Sequence, residues 1–407
     1  MLDKLLPDAE RTLAANARRL HAEILTLDTH KDIKPQLAPE SLPDDPTTRE
    51  RFRNEYDPSV RGSQQVDFPK MREGGYDCAF FIVYVGQGAL TPAGYASALR
   101  AANDKFDAID RMARLFPDTI GLATSPAKVR ELHAAGKLIA CIGIENGYPM
   151  GEDLGLIERF QQRGARYMSI AHNRHSQLGD SHTPLEPLHG GLSELGKKAI
   201  AELNRVGIMV DVSHASKATM LEAVALSKAP VIASHSGCRA LRDHSRNLDD
   251  EQLRALRKNG GVIQVVGLAG FLKDDTARRA AQDALRAALG FDRKADEAEP
   301  ELPLEARMAA LERGMKAIDA ELPRGNVRDY VDHIDHAVQV AGIDHVGLAS
   351  DFDGGGGVDG WNDATETPNV TIELVRRGYS RAQIEKIWSG NLLRVWEQVE
   401  KYAAEHR

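Results

Sequence analysis

The amino-acid sequence predicts an α/β fold, a (β/α)₈ barrel of the TIM type, in which eight parallel strands alternate with helices. Eight short apolar runs are separated by amphipathic helical segments, and six of the runs end in a histidine, aspartate or glutamate. The carboxyl ends of the strands converge on one face of such a barrel, where catalytic residues collect. The runs cover residues 25–30, 78–85, 138–145, 166–172, 208–214, 231–235, 261–266 and 346–351.

The segments between these runs set the rest of the expected architecture. Residues 34–75 are polar and rich in proline turn signals, so we expect a long irregular loop there. Residues 273–323 have a helical composition and predict an insertion after the seventh strand, either a solvated hairpin or a lid. A C-terminal helical segment is expected over 378–407, and we expect residues 1–407 to form one domain. The remaining helices are predicted at 8–24, 91–115, 125–135, 154–163, 195–205, 217–226, 249–258, 328–341 and 370–377.

Composition and charge argue against some classes of protein. The net charge of −8 with no basic tract argues against a nucleic-acid partner. No apolar run approaches the roughly 20 residues of a membrane span. The ends of the sequence as given carry neither a signal peptide nor a GPI signal. For the sequence as given we expect a cytoplasmic protein. If a signal peptide was removed from it, we expect a periplasmic or secreted protein. Oligomeric state also stays open, with a homodimer as one option.

Histidine and carboxylate residues at the predicted strand ends indicate a metal site. Side chains alternate along a strand, so His30 and Asp32 point the same way. Glu145, His214 and His235 end three further runs. Each histidine alone would more often be a hydrogen-bonded core residue, but their joint placement favours ligands for Zn²⁺ or a related ion. Five such residues exceed the needs of one ion and suit two ions bridged by one carboxylate.

Nine segments resemble the membrane (renal) dipeptidase family, zinc dipeptidases of the amidohydrolase superfamily. They span most of the chain, from Asp28 to about Trp396. The segments are DTHKD at 28–32, QVDFPKMREGG at 65–75, IGIE at 142–145, GARYMSIAHN at 164–173, GLS at 191–193, GIMVDVSH at 207–214, ASHS at 233–236 with Arg246 and an asparagine after it, GIDHVGLASDFDG at 342–354 and GNLLRVW at 390–396.

The resemblance implies a barrel with two zinc ions that hydrolyses dipeptides with a free C-terminal carboxylate, through a hydroxide that bridges the metals. It implies that His30 and Asp32 bind one zinc, His214 and His235 the other, and that Glu145 bridges them. His172 is implied to contact the substrate near the scissile carbonyl, Arg246 to bind the substrate carboxylate, and Asp351 to act as the acid–base residue. General acid–base and oxyanion roles suit these residue types.

Some residues depart from the family pattern or lie beside it. Lys31 stands between two implied ligands, and strand alternation predicts that it turns away from the metals. His175, Asp180 and Asp353 are candidates for contacts behind the ligands.

Three functions are compatible with these observations. The first is a zinc dipeptidase. The second is an amidohydrolase with the same two-metal site acting on another amide, such as a β-lactam, an N-acyl amino acid or a biosynthetic peptide precursor. The third is a non-catalytic barrel that binds a partner, which the full ligand set disfavours. A substrate panel separates the first two, and metal content separates the third.

Overall fold

A parallel β-barrel forms the centre of the protein, as the sequence predicts. The computed structural model describes residues 7–292 and 302–406. Eight strands follow each other in the order β1-β2-β4-β5-β6-β7-β8-β9, and each strand is parallel to the next. The strands are β1 (Leu27–Asp32), β2 (Cys78–Tyr84), β3 (Ile120–Leu122), β4 (Leu138–Glu145), β5 (Ala165–Ser169), β6 (Met209–Asp211), β7 (Ile232–Ser236), β8 (Val262–Val266) and β9 (Val346–Ala349).

The barrel closes between β1 and the residues that follow β9. The backbone N–H of Asp32 donates to the carbonyl of Phe352 over 2.9 Å, and the N–H of Asp351 donates to the carbonyl of His30 over 3.0 Å. The Asp28 carboxylate joins the same two segments, since it accepts the backbone N–H groups of both His30 and Ser350. Closure therefore brings the ends of the first and last strands, and their polar side chains, together.

One strand was not predicted. The short β3 lies off the barrel path and pairs only with the start of β4. Three residues are too few to give an apolar run that stands out in the sequence. This strand contributes no side chain to the site described below.

The helices surround the barrel largely where the sequence predicts them. The α-helices are Asp8–Glu23, Pro46–Tyr56, Phe68–Gly74, Pro92–Leu115, Pro126–Ala134, Gly155–Gln162, Glu194–Val206, Lys217–Leu226, Asp250–Asn259, Ala269–Leu272, Thr276–Ala288, Leu304–Glu321, Val327–Ala341, Pro368–Arg376, Arg381–Glu385 and Asn391–Glu405. A π-helical turn at Lys386–Gly390 joins the last two, and short 3₁₀ turns lie at Tyr148–Met150, Ile343–His345 and Ala364–Glu366.

The expectation of an irregular segment over residues 34–75 is wrong. Two helices lie there, Pro46–Tyr56 and Phe68–Gly74. Each begins after an aspartate, Asp45 or Asp67, whose side chain accepts the backbone N–H of the third helical residue. A proline stands in the first turn of each helix, where it costs no hydrogen bond. The same Asp and Pro residues that indicate turns thus also start helices here.

The amino-terminal end of the barrel is closed by apolar packing. First residues of several strands, such as Leu27, Cys78 and Val262, share a buried cluster with Leu392 and Trp396 of the C-terminal helix. This packing places the last helix across the bottom of the barrel. The opposite face, at the carboxyl ends of the strands, carries a cavity.

The predicted helical insertion is present after β8, which is the seventh strand of the barrel because β3 lies off the barrel path. Its described parts are mostly exposed. Helices Thr276–Ala288 and Leu304–Glu321 pack against each other, and Arg278 pairs with Asp319 between them. No residue of Leu304–Glu321 is buried. None of the described residues of the insertion lines the cavity at the barrel mouth. For the described residues, this favours the solvated hairpin over the lid; residues 293–301 of the insertion lie outside the described part of the chain. That residues 1–407 form one domain stays a prediction.

Candidate metal centre and active site

A cavity of about 600 Å³ opens at the carboxyl ends of the strands. It brings together residues that are far apart in the sequence but lie at or just after strand ends. Its lining includes six of the eight predicted site residues, Asp32, Glu145, His172, His214, His235 and Asp351. His30 lies directly behind them and is 1% exposed.

His30 directs its Nε2 atom toward the carboxylates of the site. The Tyr167 hydroxyl donates to the Thr29 carbonyl over 2.9 Å, so its oxygen accepts the Nδ1–H of His30 over 3.1 Å. Nε2 is buried and has no hydrogen-bond partner in the described parts of the chain. It lies 3.5 Å from Asp32 Oδ2 and 3.7 Å from Glu145 Oε2. A tautomer held in this way is typical of metal-binding histidines.

His235 and His214 are oriented in the same manner. Ser234 donates to Asp211 over 2.6 Å, so its oxygen accepts the Nδ1–H of His235 over 2.8 Å. His214 donates its Nδ1–H to Asn173 Oδ1 over 3.1 Å. The two Nε2 atoms then lie 3.0 Å apart.

Glu145 lies between all three histidines. Its Oε1 is 2.9 Å from His214 Nε2 and 3.2 Å from His235 Nε2, whereas its Oε2 faces His30. Nitrogen lone pairs and carboxylate oxygens therefore converge from several strands. Such an arrangement is repulsive unless protons or cations lie among the atoms, and imidazole and carboxylate are the ligands that Zn²⁺ prefers outside thiolate sites.

The protonation behaviour of these groups fits a cation site. Burial lowers the pKa of His214 and His235 well below the usual range, which keeps them in the neutral form that binds metals. Burial also opposes the charge of His30, but Glu145 and Asp32 outweigh it and raise the pKa of His30 to about 9. Burial raises the pKa of Asp351 to about 8, and the charges of Asp32 and Glu145 add to this effect.

Three overlapping groups of side chains have the geometry to hold an ion, with the ligand atoms of each group within 4.8 Å of one another. The groups are His30, Glu145 and His235; Glu145, His172 and His214; and His30, Asp32 and Asp351. All five predicted ligands appear in these groups, and Glu145 belongs to two of them. His172 and Asp351 also lie at ligand distance, so the division between ligands and catalytic residues stays a prediction.

Two of the site residues, His214 and Asp351, adopt left-handed backbone conformations. His214 has φ 64° and Asp351 has φ 59°, values that few residues other than glycine adopt. Such conformations cost free energy and persist where the surrounding structure enforces them, as in functional sites. At Asp351 the enforcing contacts include its N–H bond to His30 and a tight turn closed by the N–H of Gly356.

His172 forms part of the cavity wall rather than its floor. Its Nε2 is 3.7 Å from Glu145 Oε1, and its side chain is 19% exposed. The Tyr84 ring packs against it at a centroid distance of 4.7 Å, with the Tyr84 hydroxyl 3.5 Å from Nδ1. Burial lowers the pKa of His172, which favours the neutral imidazole.

Arg246 is buried and retains unused hydrogen-bond donors. It is 2% exposed, and its Nη1 donates to Ser236 Oγ over 2.8 Å. Its Nε and Nη2 are buried without a hydrogen-bond partner among residues 7–292 and 302–406. The guanidinium stacks near Phe271, a residue of the cavity wall. Burial lowers the pKa of Arg246 to about 10, so the group remains charged at neutral pH.

The sequence matches one family model over almost its whole length. Residues 14–407 match the model of the membrane dipeptidases, peptidase family M19. The chain belongs to this family. The protein is thus a metallo-dipeptidase, a hydrolase with a TIM barrel, as the sequence predicts. The interpretation as a non-catalytic barrel is wrong.

Individual relatives agree with the family model. Dipeptidase aclJ of Aspergillus oryzae is 32% identical over 344 residues, which are 83% of this chain and 71% of that protein. The crystal structure of the probable dipeptidase PvdM from Pseudomonas aeruginosa has 34% sequence identity and a TM-score of 0.81, and covers 97% of this chain and 100% of that one. Dipeptidase AC, a metallopeptidase of family M19, has 25% identity and a TM-score of 0.69, with 92% and 98% covered.

This metallo-dipeptidase also uses residues at the site that the sequence did not single out. Tyr84, Tyr167 and Ser234 contact His172, His30 and His235 respectively. All three lie within strands of the barrel. In the sequence alone they were indistinguishable from ordinary strand residues.

The residues predicted to contact the metal ligands from behind, His175, Asp180 and Asp353, have other partners. Lys31 turns away from the site, as strand alternation predicts, and pairs with Asp353 at 3.1 Å. His175 and Asp180 pair with each other at 3.1 Å, and Asp180 accepts backbone N–H groups of residues 188–191. These contacts stabilise the loop after β5. Neither residue hydrogen-bonds to a predicted metal ligand in the described structure.

Gly354 lies close to both aspartates of the site, Asp32 and Asp351. A side chain added at this position therefore tests whether activity depends on where the two carboxylates lie. A Cβ atom at this position would lie 2.2 Å from Asp32 Oδ2 and 2.7 Å from Asp351 Oδ1. Gly354→Ala should therefore displace both carboxylates and lower kcat/KM by roughly 10-fold, because small misplacements in a site are costly. Metal content and kcat/KM are measured together. Gly155→Ala is the control, since Gly155 is exposed, lies outside the cavity lining, and a Cβ there meets only the Asp153 side chain; equal effects of both variants would contradict the prediction.

Proposed function

We propose that this protein hydrolyses dipeptides that carry a free C-terminal carboxylate, with two zinc ions held by His30, Asp32, Glu145, His214 and His235. The observation that carries the proposal is Arg246, a buried cation with two unused donors beside a cavity that four of the five predicted metal ligands line. Arginine suits a carboxylate because its planar fork forms two parallel hydrogen bonds. The dipeptidase relatives support this substrate class.

The metal ions, when bound, would lower the pKa of a water molecule and polarise the scissile carbonyl. Asp351 would accept a proton from the attacking water and return it to the nitrogen of the leaving amine as the C–N bond breaks. Its position supports this role, since the Asp351 side chain is buried and lies 3.8 Å from His30 Nε2, next to the predicted metal ligands.

His172 would stabilise the developing oxyanion from the cavity wall. A Tyr84 hydroxyl that donates to His172 Nδ1 leaves Nε2–H as the donor directed into the cavity. Because the pKa of His172 is lowered by burial, the ring would act as a neutral donor and would not add a fixed positive charge beside the metal ions.

Arg246 would limit the length of the substrate. A carboxylate bound at a fixed distance from the metal centre allows one residue beyond the scissile bond. A longer peptide would push its carboxylate past the guanidinium. A structural role for Arg246, in which it pairs at the surface with Asp249 or Asp250, is the alternative. The contacts contradict it, because Arg246 is buried, Asp249 pairs with Lys217 and Asp250 pairs with His336.

Replacing Arg246 tests the proposal. Arg246→Ala should lower kcat/KM for a free dipeptide by roughly 10²-fold, since charge-assisted bonds contribute about 1.5–3 kcal/mol each when shielded from water. The same dipeptide amidated at its C-terminus should lose far less. Arg246→Lys should recover only part of the activity because lysine lacks the fork.

The matched control is Arg239→Ala, an arginine of the same loop whose side chain pairs with Asp243 near the surface. Equal losses for free and amidated dipeptides in Arg246→Ala would mean that Arg246 is structural. The wild-type protein is assayed in parallel on a β-lactam, an N-acyl amino acid and longer peptides. Preferential hydrolysis of one of these would replace the dipeptide assignment with the wider amidohydrolase function.

A further inference from the structure

The cavity mouth carries two lysines that the proposed mechanism does not use. Lys105, from helix Pro92–Leu115, and Lys34, just after β1, both line the cavity that contains Glu145 and His172. Lys105 is half-buried, and its Nζ lies over the Tyr84 ring at 5.3 Å from the centroid. Neither ammonium has a carboxylate within 4.0 Å in the part of the chain that the structure describes.

A half-buried ammonium without an anion is a ready binding group. Burial lowers the pKa of Lys105, and the charge of Lys34 acts in the same direction, whereas Asp32 and Glu145 oppose it. Asp104 also lines the mouth, but its side chain is exposed and it forms no ion pair with Lys105. An incoming anion would restore the electrostatic stabilisation that Lys105 loses by burial.

Lys105 and Arg246 follow strands on opposite sides of the barrel. Lys105 belongs to the helix after β2, and Arg246 follows β7, four strands away in the closed eight-strand order. Strands four apart in such a barrel face each other across its mouth. The metal-binding side chains lie between them. If Arg246 binds the C-terminal carboxylate, the part of the substrate before the scissile bond extends toward Lys105.

We propose that Lys105, with Lys34 beside it, binds an acidic side chain on the N-terminal residue of the substrate. The enzyme would then prefer dipeptides whose first residue carries a carboxylate. This inference rests on the proposed function and adds a substrate class to it. Tyr84 would connect the two sites, because one face of its ring is near the Lys105 ammonium and the ring also packs against His172.

A pair of nearly isosteric substrates tests the proposal. For the wild-type protein, kcat/KM for Glu-Ala should exceed that for Gln-Ala by roughly 10-fold, which corresponds to about one charge-assisted hydrogen bond. Lys105→Met should reduce this ratio to near one, mainly through KM for Glu-Ala. Lys105→Arg should retain most of it. Lys34→Met should reduce it by roughly 3-fold, because Lys34 is exposed and screened by salt.

Three controls separate the possible outcomes. The Ala-Glu to Ala-Gln ratio should not change in Lys105→Met, because that charge lies on the other side of the scissile bond. Lys128→Met, which removes a surface lysine paired with Glu131 at 2.6 Å, should leave both ratios unchanged. Thermal unfolding and metal content show whether each variant is intact, and Lys105→Gln replaces any Met variant that does not fold.

A wild-type ratio near one, with Ala-Ala hydrolysed normally, would overturn the acidic preference and leave the dipeptidase proposal standing. Equal losses on Glu-Ala and Gln-Ala in Lys105→Met would overturn it as well, because they would show that Lys105 only supports the site. Failure to hydrolyse any dipeptide would refute both proposals together.

Discussion

Asp351→Asn is expected to lower kcat for dipeptides by roughly 10²–10⁴-fold, the range for residues that transfer protons in general acid–base catalysis. The Asp351 side chain is 10% exposed, and its Oδ1 lies 3.8 Å from His30 Nε2. Asparagine keeps the shape of the side chain and tolerates the left-handed backbone of this position, but it cannot carry the proton. The steady-state kcat is measured on one free dipeptide at saturating concentration.

Metal content must be determined in the same Asp351→Asn sample, because Asp351 shares an ion-binding geometry with His30 and Asp32. Asp359→Asn is the control: it changes a half-exposed carboxylate of the same loop, 3.7 Å from Arg324. A variant with full metal content and near-normal kcat would remove Asp351 from the mechanism. A variant that has lost one ion would identify Asp351 as a ligand instead.

Chelation is expected to abolish activity, and the purified protein is expected to contain close to two zinc ions per chain. Five predicted ligands exceed what one ion with an open position requires. Glu145 contacts both parts of the cluster, since its two oxygens face His30 on one side and His214 and His235 on the other. Elemental analysis gives the number of ions, and readdition of zinc should restore hydrolysis.

Loss of the ions should also lower the melting temperature, because a ligand that binds only the folded state stabilises it. His235→Ala removes one predicted ligand and should reduce the zinc content. His336→Ala is its control, a histidine outside the site that pairs with Asp250 at 2.8 Å. An active preparation that contains one ion or none would contradict the two-zinc proposal.

The sequence by itself determined the barrel and the identities of its polar strand ends. Alternation along β1 is enough to put His30 and Asp32 on one side and Lys31 on the other, because side chains of successive strand residues point in opposite directions. Parallel strands also end at the same face, so His214 and His235 could be expected near Glu145 without coordinates. These inferences depend only on local periodicity and strand direction.

The tertiary structure decided what depends on distances between strands and on burial. It showed that three histidines donate their Nδ1–H groups outward, to Tyr167, Asn173 and Ser234, and that Arg246 keeps two unused donors. It also brought Lys105, from the middle of a helix, to the cavity mouth. No local pattern marks Lys105 or the partners of the three histidines, because their role arises from contacts between segments far apart in the chain. The closure of the barrel sets those contacts.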